Sequence, residues 1–202
     1  MLHLLLATRN AHKTEEFAAI LGPGFAVSDL RSVNNFGEVE ETGKTFEDNA
    51  RLKALAASLI TSDFVVADDS GLELAALGGA PGVYSARYGG EHASDAENIA
   101  KLLTELEKVN SGRANRAAQF RCAIALARAG AIVDVFVGTV HGVIADVPRG
   151  ENGFGYDPVF VPNGYDKTFA ELGMTRKNRI SHRAAAIEEL RVGLARVAAE
   201  PA

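Results

Sequence analysis

Two neighbouring carboxylates, Asp68 and Asp69, close an apolar run from Phe64 to Ala67 and lead into Ser70-Gly71. On an extended chain adjacent side chains point to opposite sides, so a single metal ion would take one carboxylate directly and leave the other to act from behind it or as a base. Hard oxygen donors of this kind suit magnesium. Glu40 and Glu41, in the acidic run Glu38-Val39-Glu40-Glu41, offer a further carboxylate, although such a run also reads as a solvated loop. Thr8-Arg9-Asn10-Ala11-His12-Lys13 brings a hydroxyl, an amide, backbone N–H groups and an ammonium to the start of a predicted helix, where the dipole favours an anion such as phosphate. The same residues fit equally well with Asn10 as a helix cap and Lys13 as a solvated charge. Gly150-Glu151-Asn152-Gly153-Phe154-Gly155-Tyr156-Asp157-Pro158 combines backbone freedom, two rings and a carboxylate. That composition suits stacking on a planar base and hydrogen-bonding its edge, or an ordered turn with its rings in the core. In Lys177-Asn178-Arg179-Ile180-Ser181-His182-Arg183, Lys177, His182 and Arg183 can bind phosphate oxygens or base acceptors, or the cations can line a surface turn. An anion loop, a hard-metal carboxylate set, an aromatic-glycine loop and a basic helix start together make what a nucleoside triphosphate site requires.

The elements that must hold these residues follow from the apolar patterning. Leu2 to Ala7 predicts a strand, and Phe17, Ile20 and Leu21 predict a helix broken by Gly22-Pro23-Gly24. Thr45 to Asp48 resembles a capping box with Asp in place of Glu, and it opens a helix through Ile60 with Leu52, Leu55 and Leu59 on one stripe. Phe64 to Ala67 predicts a short buried strand with Asp68 to Gly71 as the loop beyond it. Ser94 to Glu97 is a capping box for a helix to about Val109. Ala118 to Ala127 and Ala131 to Ile144 predict a hairpin turning near Arg128-Ala129-Gly130. A loop from Ala145 to Asp157, a brief strand from Val159 to Val161 and a helix from Ser181 to Ala199 complete the chain. Strand and helix units followed by a hairpin favour an α/β domain on a mixed sheet. Ligands of such sheets lie beyond the strand carboxyl ends, which singles out the loops Thr8 to Lys13 and Asp68 to Gly71.

Composition narrows the class. The 202 residues suffice for one generous domain or two lobes sharing a core, one continuous core being the expectation, with 47% apolar and 23% charged residues as in ordinary globular chains. A net charge of -5 argues against coating a nucleic acid polymer. The single Cys122 cannot form an intrachain disulfide, so a reducing, cytoplasmic setting is expected. The apolar start is too brief for a signal peptide, and no stretch approaches the ~18 apolar residues of a membrane span.

In these residues the chain resembles the Ham1/RdgB family of noncanonical purine nucleoside triphosphate pyrophosphatases. The resemblance rests on Thr8-Arg9-Asn10 with Lys13 and Glu16, on Glu41-Thr42-Gly43 with Thr45-Phe46 and Asn49-Ala50, and on Ala67-Asp68-Asp69-Ser70-Gly71-Leu72. It continues through Leu77 to Tyr88, Gly153 to Pro158, Lys177-Asn178 and Ser181-His182-Arg183, from residue 1 to about 190. The resemblance implies one domain over residues 1–202, an elongated mixed sheet flanked by helices, and two lobes with a central nucleotide-binding cleft. It also implies a homodimer, and magnesium-dependent hydrolysis of ITP, dITP and XTP to the monophosphate and pyrophosphate. Carried over by position, Asp69 is the proton acceptor and a magnesium ligand, with Glu41 the preferred further ligand and Glu40 its competitor. Thr8, Arg9, Asn10, Ala11, His12 and Lys13 hold phosphates, with Lys53 and Arg87 as further contacts, and Ser70 touches substrate. Phe154, Gly155, Tyr156 and Asp157, with Lys177, His182 and Arg183, form the base and phosphate contacts.

The resulting expectation is attack by water on the α-phosphorus, with Asp69 accepting its proton and Lys13, Lys53 and Lys177 clamping the phosphates. Donors such as Arg183 would favour the six-oxo group of hypoxanthine and xanthine over the amino group of adenine. Two other readings are a pyrimidine specificity in the manner of Maf-like proteins and nucleotide binding without turnover.

Overall fold

A computed structural model describes residues 1–109 and 116–199 of the chain. The aliphatic start forms β1 (Leu2–Leu6), and Asn10 caps α1 (Ala11–Leu21) by accepting from the His12 and Lys13 N–H groups. The next strand, β2 (Phe25–Asp29), is absent from the sequence expectation because its residues are mostly half-buried and carry no clear apolar alternation. It lies at the sheet edge, parallel to β1. Thr45 caps α2 (Phe46–Ser58) through the Asp48 N–H.

Three sequence expectations change here. The buried face of α2 is Asn49, Ala50, Ala54 and Ala57, while Leu52 and Leu55 are half-buried and Leu59 is exposed. Mostly small side chains line that buried face, and the leucine stripe lies off it. The strand β3 (Phe64–Leu74) does not stop at Ala67, so Asp68 to Gly71 lie inside a strand rather than in a loop. Loss of apolar character marks a change of surroundings, not the end of backbone pairing. Finally, Lys177 and Asn178 belong to a helix.

The remaining elements are α3 (Asp95–Lys108), β4 (Ala117–Arg128), β5 (Ala131–Ile144), β6 (Phe160–Pro162), α4 (Phe169–Leu172), α5 (Met174–Ile180) and α6 (His182–Ala199). Ser94 and Glu97 close a full capping box on α3. The sheet order is β2-β1-β3-β4-β5-β6, with β1 parallel to β2 and β3, and β5 antiparallel to β6. Ala129 and Gly130, at φ 50° and 79°, make the left-handed pair that a two-residue hairpin turn needs between β4 and β5. The fold is α/β on a mixed six-stranded sheet flanked by helices.

The chain divides into two compact units, each with its own apolar core, instead of the one continuous core that its length suggests. Unit one comprises Met1–Asp69, Cys122–Gly138 and Arg183–Ala202. Its core joins Leu4 and Leu6 of β1, Phe17 and Leu21 of α1, Phe64 and Val66 of β3, Ile124 of β4 and Ile187 and Leu190 of α6. Unit two comprises Ser70–Arg121 and Thr139–His182. Its core joins Leu72 and Leu74, Ile99, Leu102 and Leu106 of α3, Phe120, Phe160 and Phe169.

Candidate active site

Strand alternation places the two carboxylates of unit one. Phe64 and Val66 point into the core beneath α1 and α6, and two residues later so does Asp68. Its Oδ2 accepts from Arg183 Nη2 at 2.8 Å and Nε at 3.3 Å, and its Oδ1 lies 2.9 Å from Lys13 Nζ. Arg183 reaches on to Glu16 of α1 through Nη1. All three of Glu16, Asp68 and Arg183 are buried. Burial opposes the charge on Asp68, but Lys13 and Arg183 outweigh it and hold the carboxyl well below the usual range. Cys122 completes this pocket with Sγ 3.9 Å from Asp68, and burial together with that charge pushes its thiol far up, so it is no nucleophile.

Asp69 faces the other way, toward α2. Its Oδ1 accepts from Lys53 Nζ at 3.0 Å and its Oδ2 from Asn49 Nδ2 at 3.2 Å. The Lys53 ammonium also donates to Glu41 Oε1 at 2.9 Å, so two carboxylates converge on one cation. Asn49 and Lys53 are one helical turn apart and therefore share a face. Asn49 Oδ1 accepts from the Gly43 N–H at 2.8 Å, tying the loop that carries Glu41 to the same helix. A side chain at Gly43 would meet Asn49 Oδ1 at 2.5 Å and Asp48 Cβ at 2.6 Å, which explains glycine there. Burial raises the Asp69 pKa, against the opposing pull of Lys53 and Lys13. Lys53 is itself pulled down by burial but raised overall by Asp69 and Glu41, so it stays an ammonium.

The β1–α1 loop is partly self-satisfied. Asn10 Oδ1 accepts from the His12 and Lys13 amides at 3.0 and 3.3 Å, and the Asn10 N–H donates to Thr8 Oγ1 at 3.1 Å. The helix-cap reading of Asn10 therefore holds, whereas Lys13 is paired with Asp68 rather than a solvated charge. Arg9 donates to the Phe36 carbonyl, and Ala11 begins α1. His12 and Glu40 are exposed.

Unit two gathers the aromatic-glycine loop and the basic segment. Lys177 Nζ lies 2.5 Å from Asp157 Oδ2 and 4.5 Å from the Phe154 ring centroid, and Asp157 Oδ2 also accepts from the Phe154 N–H at 3.0 Å. Lys177 is only 2% exposed, which overturns the surface-turn alternative for this segment. Tyr156 is buried with its hydroxyl donating to the Ser85 carbonyl at 2.9 Å, so it anchors the loop in the core and offers no open stacking face. His182 is buried against Phe120 at 4.7 Å between ring centroids. Arg87 lies over the Tyr84 ring at 5.4 Å. Ser70 is half-buried on β3, beside Gly71, whose missing side chain admits the Gly82 carbonyl.

The sequence profile of the Ham1 family matches residues 4–192. The chain belongs to the Ham1 family. A dITP/XTP pyrophosphatase of Geobacter sulfurreducens is 52% identical over 192 residues, covering 95% of this chain and 96% of that one. A dITP/XTP pyrophosphatase of Bacillus subtilis is 48% identical over 191 residues, covering 94% and 96%. Among solved structures, the Ham1 protein of Staphylococcus aureus aligns with a TM-score of 0.83 at 46% identity, covering 95% of this chain and 97% of that one. A HAM1 protein from Coxiella burnetii aligns at 0.86 and 42%, covering 97% and 100%.

Two residues of this Ham1 chain that carry the resemblance but have no expected site role now gain one. Asn49 steadies both Asp69 and the Glu41 loop, and Glu16 shares Arg183 with Asp68. The i, i+4 spacing of Asn49 and Lys53, which puts both on one helix face, is the sequence signal for the role of the first. Arg183, expected on a base, has Nε, Nη1 and Nη2 donating to Asp68 and Glu16 inside unit one.

Proposed function

We propose that this Ham1 chain hydrolyses ITP, dITP and XTP to the monophosphate and pyrophosphate, removing deaminated purines from the nucleotide pool. The names of its relatives support the substrate class. The observation that carries the chemistry is the convergence of Asp69 and Glu41 on the Lys53 ammonium.

That convergence also fits magnesium. Two carboxylates whose oxygens meet around one cation, completed by phosphate oxygens and water, are the usual protein share of a magnesium site. Among the described residues no group of three or more His, Cys, Asp or Glu could hold a metal by itself. Asp69 and Glu41 would hold the ion, and Glu40 is the exposed neighbour. Bound there, magnesium would draw off charge developing on the phosphate oxygens. Asp69 accepts the proton of the attacking water as the new bond to the α-phosphorus forms and the bond to the bridging oxygen breaks, releasing pyrophosphate. Its burial makes it a stronger base than an exposed aspartate. Lys13 and Lys53 supply positive charge to the phosphates, aided by Thr8 to His12, Ser70 and Arg87. In unit two, the half-buried Phe154 and Gly155 are the loop residues left to contact the base, while buried Tyr156, Asp157, Lys177 and His182 hold that loop and its surroundings, so Lys177 does not join the phosphate clamp. Arg183 acts through Asp68, which orients Lys13.

Pyrophosphate release from ITP, dITP, XTP, ATP, GTP and modified pyrimidine triphosphates, with magnesium or EDTA, tests the reading. Fast cleavage of the first three, abolished by EDTA and at least tenfold weaker for the others, is the expected result. A preference for ATP, GTP or pyrimidines, or binding without turnover, would overturn it. We further propose a cytoplasmic setting, in keeping with the single cysteine, and a homodimer, as the family resemblance implies. No described helix is long and apolar enough to cross a membrane. Sedimentation equilibrium should return twice the 21.3 kDa chain mass, and a monomer at micromolar concentration would refute the dimer.

A further inference from the structure

The loop that carries Phe154, Tyr156 and Asp157 is tied down at three points within unit two. Asp157 binds its own loop through the Phe154 N–H and is locked by Lys177. Tyr156 is anchored through its hydroxyl to Ser85. The third tie comes from far away in sequence: Asp95 Oδ2 accepts from the Gly155 N–H at 2.6 Å. Gly155 sits at φ 60°, in the left-handed region where a glycine peptide has little intrinsic preference for one orientation. A carboxylate on the first turn of α3 restricts that freedom through a short charge-assisted bond, which is stronger than a neutral one although Asp95 is exposed and water weakens it. Asp95 is not required to cap α3, because Ser94 and Glu97 already form the box.

We propose that Asp95 is a positioning residue that fixes the Phe154–Gly155 peptide, and with it the ring of Phe154, for recognition of the purine base. This rests on the assignment of the Phe154 to Asp157 loop to the base. Asp95 does not touch substrate; it acts through the Gly155 amide. The Lys177 charge over the Phe154 ring depends on where that ring is held, so releasing the peptide loosens the cation–aromatic contact as well.

The test compares wild type, Asp95→Asn and Asp95→Ala by two readouts. The first is hydrogen exchange of the segment spanning residues 152–158. The second is calorimetric binding of inosine monophosphate and, separately, of inorganic pyrophosphate. Asp95→Ala should speed exchange at Gly155 and weaken inosine monophosphate binding about tenfold, with pyrophosphate binding within twofold of wild type. Asp95→Asn keeps an acceptor oxygen and should recover most of both effects. Unchanged exchange and inosine monophosphate affinity in Asp95→Ala would overturn the proposal, as would equal weakening of both ligands, which marks a general structural role. If wild type itself binds no inosine monophosphate, the base assignment falls and the proposal with it, even where exchange shows that Asp95 holds Gly155.

Discussion

Replacing Asp69 by Asn should lower kcat for ITP by roughly 10²- to 10⁴-fold, the usual contribution of a positioned general base, while thermal stability stays level or rises. The two expectations have one cause. Burial raises the Asp69 pKa, so folding disfavours its ionised form. A carboxyl whose folded pKa lies above its unfolded value binds protons more tightly in the native state, and near neutral pH its charge subtracts from stability. Asn removes that charge at almost the same volume and its Oδ1 can still accept from Lys53, whose ammonium keeps Glu41 as its ionic partner, while its Nδ2 replaces the oxygen that accepted from Asn49, so one lost hydrogen bond offsets part of the gain. A residue held for function at some expense of stability is the pattern expected of an active site. Steady-state pyrophosphate release and a thermal melt of the same preparations check this. Retention of more than a tenth of the activity removes Asp69 as the base. A large fall in melting temperature alongside lost activity makes it a structural residue instead.

The neighbouring position supplies the contrast that sequence alone could only leave open. Asp68 and Asp69 are chemically alike and adjacent, and alternation along a strand already sends them to opposite faces. Which of the two meets Lys13 and Arg183 and which meets Lys53 depends on partners far away in sequence, and no local pattern connects positions 13, 53 and 183 to residues 68 and 69. The helices α1, α3 and α6 were legible because caps and apolar spacing are local signals, and the β4–β5 hairpin because Val and Ile crowd its second strand. The edge strand β2 and the short helices α4 and α5 carry too few periodic residues to be recognised. The buried face of α2 escaped notice because alanines, not its leucines, face inward. Motif resemblance identified the cationic segment at residues 177–183 as important. It could not tell that Lys177 pairs with Asp157 in one unit while Arg183 pairs with Asp68 and Glu16 in the other.

Arg183→Met should be the most destabilising of these changes. The guanidinium is the shared partner of two buried carboxylates on different elements, Glu16 of α1 and Asp68 of β3. Methionine fills much of the volume, so the loss comes from stranding charge rather than from a cavity. Removing one member of a buried ion pair costs about 3–5 kcal/mol. For a chain of this length each kcal/mol moves the melting temperature by roughly 2–4 °C, so a fall of about 10 °C is expected. Lys13 still faces Asp68, which keeps the loss below that of a wholly unpaired aspartate. The pH dependence has a definite sign. Wild-type Asp68 is held below its unfolded pKa, so its pairing stabilises the protein above about pH 4 and fades as pH falls toward the lower folded value. Arg183→Met forfeits part of that stabilisation, so the gap in stability between the two proteins should be widest near neutral pH and narrow below about pH 4. Adding Glu16→Gln and Asp68→Asn to Arg183→Met should recover part of the loss, because the two carboxylate charges go with their partner, the recovery being limited by Lys13, which then loses Asp68. Thermal melts from pH 3 to 8 on the three proteins decide the matter. A single-variant deficit that is independent of pH and unrelieved in the triple variant would mean that Arg183 holds the fold by packing, not by charge.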